Sequence, residues 1–244
     1  MSTTSNHATR RELLAEVQVL HRDEPPFHSL NDDIYTLLRW SLMAGDLVPS
    51  QAVSIRSLAD QYGTSMIPVR DALKRLVAER ALTMLPNRTV VVSAMTRRRF
   101  QEILNVRLAV ETMLARQAAE LITPGEISAL EEINQEMHDA VGNGGVKAYL
   151  IANHRFHFKL YDAAQSTVML PIVESLWMQV GPFLNGVFTA AGINHASDND
   201  QEVLKALRRR DSVGVANAVG HDIADAADTI LARDEFVQDG GSKK

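Results

Sequence analysis

Asn153 and His157 stand four residues apart, so on a helix they share one face and can grip a single divalent ion. His221 lies far along the chain, on a helical segment that a bundle can bring opposite them. Either histidine alone is equally suited to life as a hydrogen-bonded interior side chain. Arg107 and Glu111 form a second pair one turn apart, which by spacing alone reads as a surface ion bridge of small value. A third group is cationic. Arg56, Arg70, Lys74 and Arg88 fall within one short region, and a guanidinium there can take a phosphate or pair bidentately with guanine O6/N7. Ser65 adds a hydroxyl able to bond phosphate, and Met66 and Ile67 are able either to pack inward or to touch thymine methyls. With no cysteine, thiolate metal sites and disulfides are excluded.

The cationic group sits on a pattern that dictates its presentation. Ser54 is placed to cap a short helix, Ile55–Tyr62, with Ile55, Leu58, Ala59 and Tyr62 at helical spacing. Gly63 supplies a tight turn, and Thr64-Ser65 opens a second helix, Ile67–Glu79, with Pro68 in its first turn, where a missing N–H costs least. Val69, Ala72, Leu73 and Leu76 give that helix an apolar side. Leu82–Met84, Pro86–Arg88 and Thr89–Val92 then read as strand, turn and strand, a wing with a basic tip. Two helices across a glycine turn, followed by a wing, form the unit that lays its second helix in the DNA major groove. An earlier helix, Asp32–Ala44, completes it, with Ile34, Leu37, Leu38 and Leu42 on one face and Gly45 at its end.

From Thr96 the period becomes helical throughout, with segments at Arg97–Leu121, Pro124–Val141, Gly145–Ala164, Val168–Ala190, Asp198–Arg209 and Asp211–Phe236. Short connections argue for an antiparallel six-helix bundle, with Pro182 a potential kink in the fourth segment. Trp40, Trp177 and Phe183 read as packing, and Arg208–Arg210 as solvated charge at a helix end. The expected organisation is a polar tail over 1–30 with a short helix around Arg11–His21, a winged helix-turn-helix over 31–93, an all-α bundle over 96–236 and a frayed tail over 237–244. The fold class is mainly α.

The net charge of −5 divides unevenly. Residues 31–93 hold seven Lys/Arg against six Asp/Glu, whereas 96–236 hold thirteen against nineteen, so the acidity lies in the second half. No apolar run approaches membrane-spanning length and no signal-peptide core is present, which points to a cytoplasmic protein without a membrane partner.

The first half resembles the GntR family of bacterial transcription regulators. The likeness runs through Ile34-Tyr35, Leu38-Arg39, Gly45–Pro49, Leu58-Ala59, Gly63–Ser65, Pro68–Leu73, Leu76, Glu79 and the wing residues Pro86–Arg88. The second half is similar to the FCD sensing domain of the FadR-type branch, through Val106–Glu111, Asn153–His157, Leu160, Leu204–Leu207, Asp211 and His221. Direct passage from the wing into the Arg97 helix looks more like the six-helix VanR-like group. The resemblance implies DNA contacts by Arg56 and Arg70. Where the family usually carries Arg-Thr after the serine, this chain has Met66-Ile67, a departure that removes a charge and a hydroxyl.

The resemblance also implies a metal set of a carboxylate or amide followed by three histidines. Asp200 stands where the family has its penultimate histidine, giving Asn153, His157, Asp200 and His221 as candidate ligands for Zn, Ni or Mn, with His195 as an alternative if the loop register shifts. It places Arg107 facing an effector cavity, where its fork suits a carboxylate. The function implied is a ligand-responsive regulator, a repressor by family habit. It would bind a palindromic operator in double-stranded DNA as a homodimer and sense a small organic acid. A metal-dependent hydrolase on the bundle is the competing expectation, disfavoured because no general base stands near the ligand set. A nucleoid-type binder without effector leaves the large bundle unexplained.

Overall fold

The computed structural model of the protein describes residues 30–191, 198–234 and 236–238. The expected helix around Arg11–His21, the candidate ligand His195 and the closing segment 239–244 lie outside the described residues.

Helix α1 (Leu30–Met43) buries Ile34, Leu37, Leu38 and Leu42, and its first turn carries Asp32 and Asp33 at the positive end of the helix. Strand β1 (Ala52–Val53) leads into α2 (Ile55–Gln61), which is capped as its sequence predicts: the Ser54 hydroxyl accepts from the Ser57 amide at 3.3 Å. Gly63, at φ +59°, makes the turn that a side chain would strain. Helix α3 (Met66–Ala78) follows, burying Val69, Ala72, Leu73 and Leu76. The wing is the antiparallel pair β2 (Leu82–Met84) and β3 (Val90–Val92), with Leu82 opposite Val92. β1 adds a third strand on the other side of β3, giving the order β1-β3-β2. Its two residues are too few to show any alternation, so the sequence carries no period that would reveal it.

Six bundle helices follow: α4 (Arg97–Leu121), α5 (Pro124–Gly142), α6 (Val146–Asp162), α7 (Met169–Ala191), α8 (Asp198–Arg208) and α9 (Ser212–Arg233). Thr123 and Glu126 close a reciprocal capping box at the start of α5. α9 stops three residues short of the expected Phe236, because Asp234 enters the left-handed region at φ +54°. The chain then folds back: the Val237 amide donates to the Met95 carbonyl at 3.1 Å, and the Phe236 ring packs on Phe100 and Phe183.

α7 runs on through Pro182. Close approach accounts for the glycine next to it, Gly181, since a Cβ at that position would lie 2.5 Å from the Leu42 carbonyl oxygen. The end of α1 therefore rests directly on the backbone of α7. Polar contacts fix the same junction. Arg39 pairs with Glu174 at 2.9 Å, and Arg99 donates to the Arg80 carbonyl at 2.7 Å and to Gln179 at 2.9 Å. α1 thus packs on α3 with one face and on α7 with another.

Candidate functional site

Two surfaces collect the sequence candidates. The first is the exposed front of the winged unit. Arg56, Ser65, Arg70, Lys74 and Arg88 are all exposed. Ser65 precedes α3 without spending its hydroxyl on a cap, so the group remains available at the positive end of the helix. Met66 and Ile67 are 51% and 65% exposed, which disposes of the packing alternative for both. Lys74 shares an exposed ion pair with Asp71 at 3.1 Å. Arg75 is committed elsewhere, its guanidinium 3.6 Å from the centre of the Tyr35 ring and bonded to Glu79, so it helps hold α3 to α1.

The second surface is interior. α4 supplies Arg107 and Glu111, and the pair is not a surface bridge: the Glu111 side chain is fully buried and that of Arg107 nearly so. Glu111 accepts from Arg107 Nε at 2.6 Å, from the Tyr161 hydroxyl at 2.8 Å and from the Trp177 indole at 3.0 Å. The guanidinium also lies over the Trp177 ring, 4.8 Å from its centre. Burial works against the charge of Arg107, but Glu111 more than compensates, holding the group above its ordinary value.

Tyr161 carries the network onward. Its oxygen lies 3.3 Å from His157 Nδ1, and since its proton goes to Glu111, it accepts from the imidazole. That arrangement leaves Nε2 as the working nitrogen of His157. Nε2 faces Asp222 at 3.2 Å and Asp200 at 3.9 Å. Burial acts to lower the basicity of His157, but the bond to Asp222 and the charges of Asp222, Asp200 and Glu111 outweigh it, and the imidazole sits above its usual range. Asp200 is pushed well above the carboxylate range, by burial first and by the like charge of Asp222 second. Both Asp200 oxygens are buried without a hydrogen-bond partner among the described residues. Asn153, one turn before His157, bonds Tyr149, which itself feels the charges of Asp222 and Asp200.

His157, Asp200 and Asp222 therefore bring ligand atoms within 4.8 Å of one another. His221 is not among them. It is exposed, and its successor Asp222 occupies the inward position. One residue turns a helical side chain by about 100°, and the buried stripe Val215, Val219, Ile223 of α9 puts position 222 on the bundle side and 221 away from it. That stripe was the signal in the sequence. Glu111 as the hub, and Tyr161 and Trp177 as its donors, carried no signal short of the fold itself.

Residues 30–92 match the bacterial regulatory proteins of the gntR family, and residues 102–225 match the FCD domain. The chain belongs to the GntR family. The HTH-type transcriptional regulator McbR of Escherichia coli is 29% identical over 189 residues, covering 76% of this chain and 86% of McbR. The HTH-type transcriptional repressor RspR of Escherichia coli is 21% identical, covering 84% of this chain and 90% of RspR. The solved structure of E. coli McbR/YncC superposes with a TM-score of 0.81 at 26% identity, covering 85% of this chain and 99% of that one. A GntR regulator from Rhodococcus has the same fold at 18% identity and a TM-score of 0.68.

As a GntR-family protein with an FCD domain, the chain is a DNA-binding transcription regulator and not an enzyme. The wing and α3 fall within the residues matched to the gntR family, and the buried cluster just described lies within those matched to the FCD domain. Among the described residues no helix is long and apolar enough to cross a membrane.

Proposed function

We propose that this protein is a ligand-responsive repressor that binds a palindromic operator as a homodimer and is controlled by a small carboxylate bound beside a divalent cation in the bundle. The observation that carries the reading is the Asp200 carboxylate, fully buried, without a hydrogen-bond donor and facing the like charge of Asp222. A carboxyl in that state takes up a proton or a cation, and a cation shared with Asp222 would relieve both the burial and the like charge. The side chains present suit one: His157 Nε2, Asp200 and Asp222 would hold it, with the Asn153 amide on the same helix face as His157. Three of these four residues offer oxygen, a set that suits Mn²⁺ better than one built from several imidazoles. Bound there, the cation would supply positive charge and open coordination positions for an anionic effector.

Arg107 is already paired with Glu111, and His157 stands between the Asp200 and Asp222 carboxyls. A divalent cation held there would add the positive charge that favours a carboxylate effector. Arg107 keeps N–H groups beyond those given to Glu111, and they would be able to fork onto the effector's carboxylate. The binding free energy reaches the DNA through α1, which touches both the recognition helix α3 and α7.

An operator selected from a random duplex library, followed by fluorescence anisotropy, tests the reading. Small organic acids are expected to shift operator affinity in the presence of Mn²⁺ and to have no effect after chelation. A carboxylate response of equal size in chelated protein would refute a role for the cation. Sequence-indifferent binding that responds to no acid would refute the regulator reading as a whole.

A further inference from the structure

The junction between the winged unit and the bundle holds an open cleft of about 730 Å³, whose lining residues include none of the His157 cluster. Its floor is apolar, built from Val77 at the end of α3, Leu82 of β2, Ile103 and Val106 of α4 and Leu176 of α7. Two guanidiniums border it, Arg80 and Arg99. We propose that this cleft is a second ligand site, taking an amphipathic organic anion whose apolar body lies on Ile103, Val106 and Leu176 and whose charged head sits between Arg80 and Arg99.

Among the described residues, the positive charge in the cleft has no anionic partner. Arg99 is bonded only to neutral oxygens: the carbonyls of Ala94 at 3.2 Å and Arg80 at 2.7 Å, and Gln179 Oε1 at 2.9 Å. Those bonds use three of its five N–H groups and leave two for a ligand. Burial and then the like charge of Arg80 hold Arg99 below the usual arginine range, the mark of a cation without compensation. The one carboxylate at the rim, Glu102, is engaged by Arg98 at 3.0 Å. Val106 is 43% exposed and Met84 49%, so the apolar surface is open to a visitor rather than filled from within. The volume falls in the range of small-molecule pockets.

The position gives such a ligand leverage. Arg80 directly follows the recognition helix, with φ +63°, and its carbonyl is the acceptor through which Arg99 clamps the winged unit to the bundle. An anion seated there touches the last turn of α3, the wing strand β2 and bundle helices α4 and α7 together. It would set the angle between DNA reader and sensor, independently of the effector site inside the bundle.

The probe is anilinonaphthalene sulfonate, an amphipathic organic anion whose fluorescence rises in apolar surroundings. Titration of the full chain is expected to show one saturable site. Two surface variants test its location: Val106→Asp places a negative charge on the apolar floor, and Arg80→Asn removes a cation while keeping a residue that tolerates the left-handed region. Each is expected to weaken the probe about tenfold or more with the thermal melting curve unchanged, while His157→Ala leaves it within twofold. Saturating probe is also expected to shift operator affinity at least threefold in wild type and not in Val106→Asp. Undiminished binding in both cleft variants overturns the inference, as does unsaturable binding. Loss in His157→Ala alone would put the probe inside the bundle, ending this proposal and leaving the effector reading untouched.

Discussion

Arg70 is exposed on α3, outside the buried stripe of Val69, Ala72, Leu73 and Leu76, and is proposed to read a base edge. Arg70→Ala is expected to cost about 1–3 kcal/mol on the selected operator and little on scrambled duplex. An equal loss on both would make it a phosphate contact. Met66, half exposed at the first turn of the same helix, replaces a charge usual in the family by an apolar side chain. Met66→Arg is expected to strengthen binding and to steepen its salt dependence by about one counterion. Weaker operator binding would show instead that Met66 reads a thymine methyl. Inside the bundle, Glu111 answers three donors at once, from Arg107, Tyr161 and Trp177. Glu111→Ala leaves a buried guanidinium without its counter-charge, and chemical denaturation is expected to show a loss of about 3–5 kcal/mol. A loss under 1 kcal/mol would mean that solvent reaches Arg107 and that the network is not closed.

At the scale of elements, the helices announced themselves through punctuation. Ser54, Gly63, Thr123 and Gly45 mark boundaries by local chemistry, and the structure keeps each of them. Features set by distant contacts did not announce themselves. β1 exists because Ala52 and Val53 find Val91 and Val90, a pairing that two residues cannot advertise. The exchange of His221 for Asp222 is a matter of one residue of rotation, which likeness to a family cannot resolve but the apolar stripe of α9 does. The Arg80–Arg99 clamp joins residues whose meeting depends on how the two halves dock. Gly181 belongs to this class too, because its value lies in the approach of Leu42 from another part of the chain. Gly181→Ala is expected to destabilise the protein by about 1–3 kcal/mol and to split a single calorimetric transition into two as α1 lifts from α7. A single unshifted transition would show that α1 accommodates the methyl by sliding, and that its seat on α7 is looser than the contact distance implies.

Across the whole molecule, charge and contact divide the work. The winged unit presents its cations outward, while the bundle collects carboxylates, three of them around His157 and Arg107. α1 is the common neighbour of reader and sensor, and Trp40 at its inner face meets His154, whose ring also packs on Phe158 and Trp177. Trp177 in turn donates to Glu111, so a contiguous set of side chains runs from the buried cluster to the helix that supports α3. The account stands on the claim that the cluster holds a divalent cation through His157, Asp200 and Asp222. Calorimetric titration of chelator-stripped protein with Mn²⁺ tests it most directly. One ion per chain is expected, weakened about tenfold or more by His157→Ala, Asp200→Asn and Asp222→Asn, and unchanged by His221→Ala. Metal binding that survives Asp222→Asn and is lost in His221→Ala, or no stoichiometric binding in wild type, would contradict it.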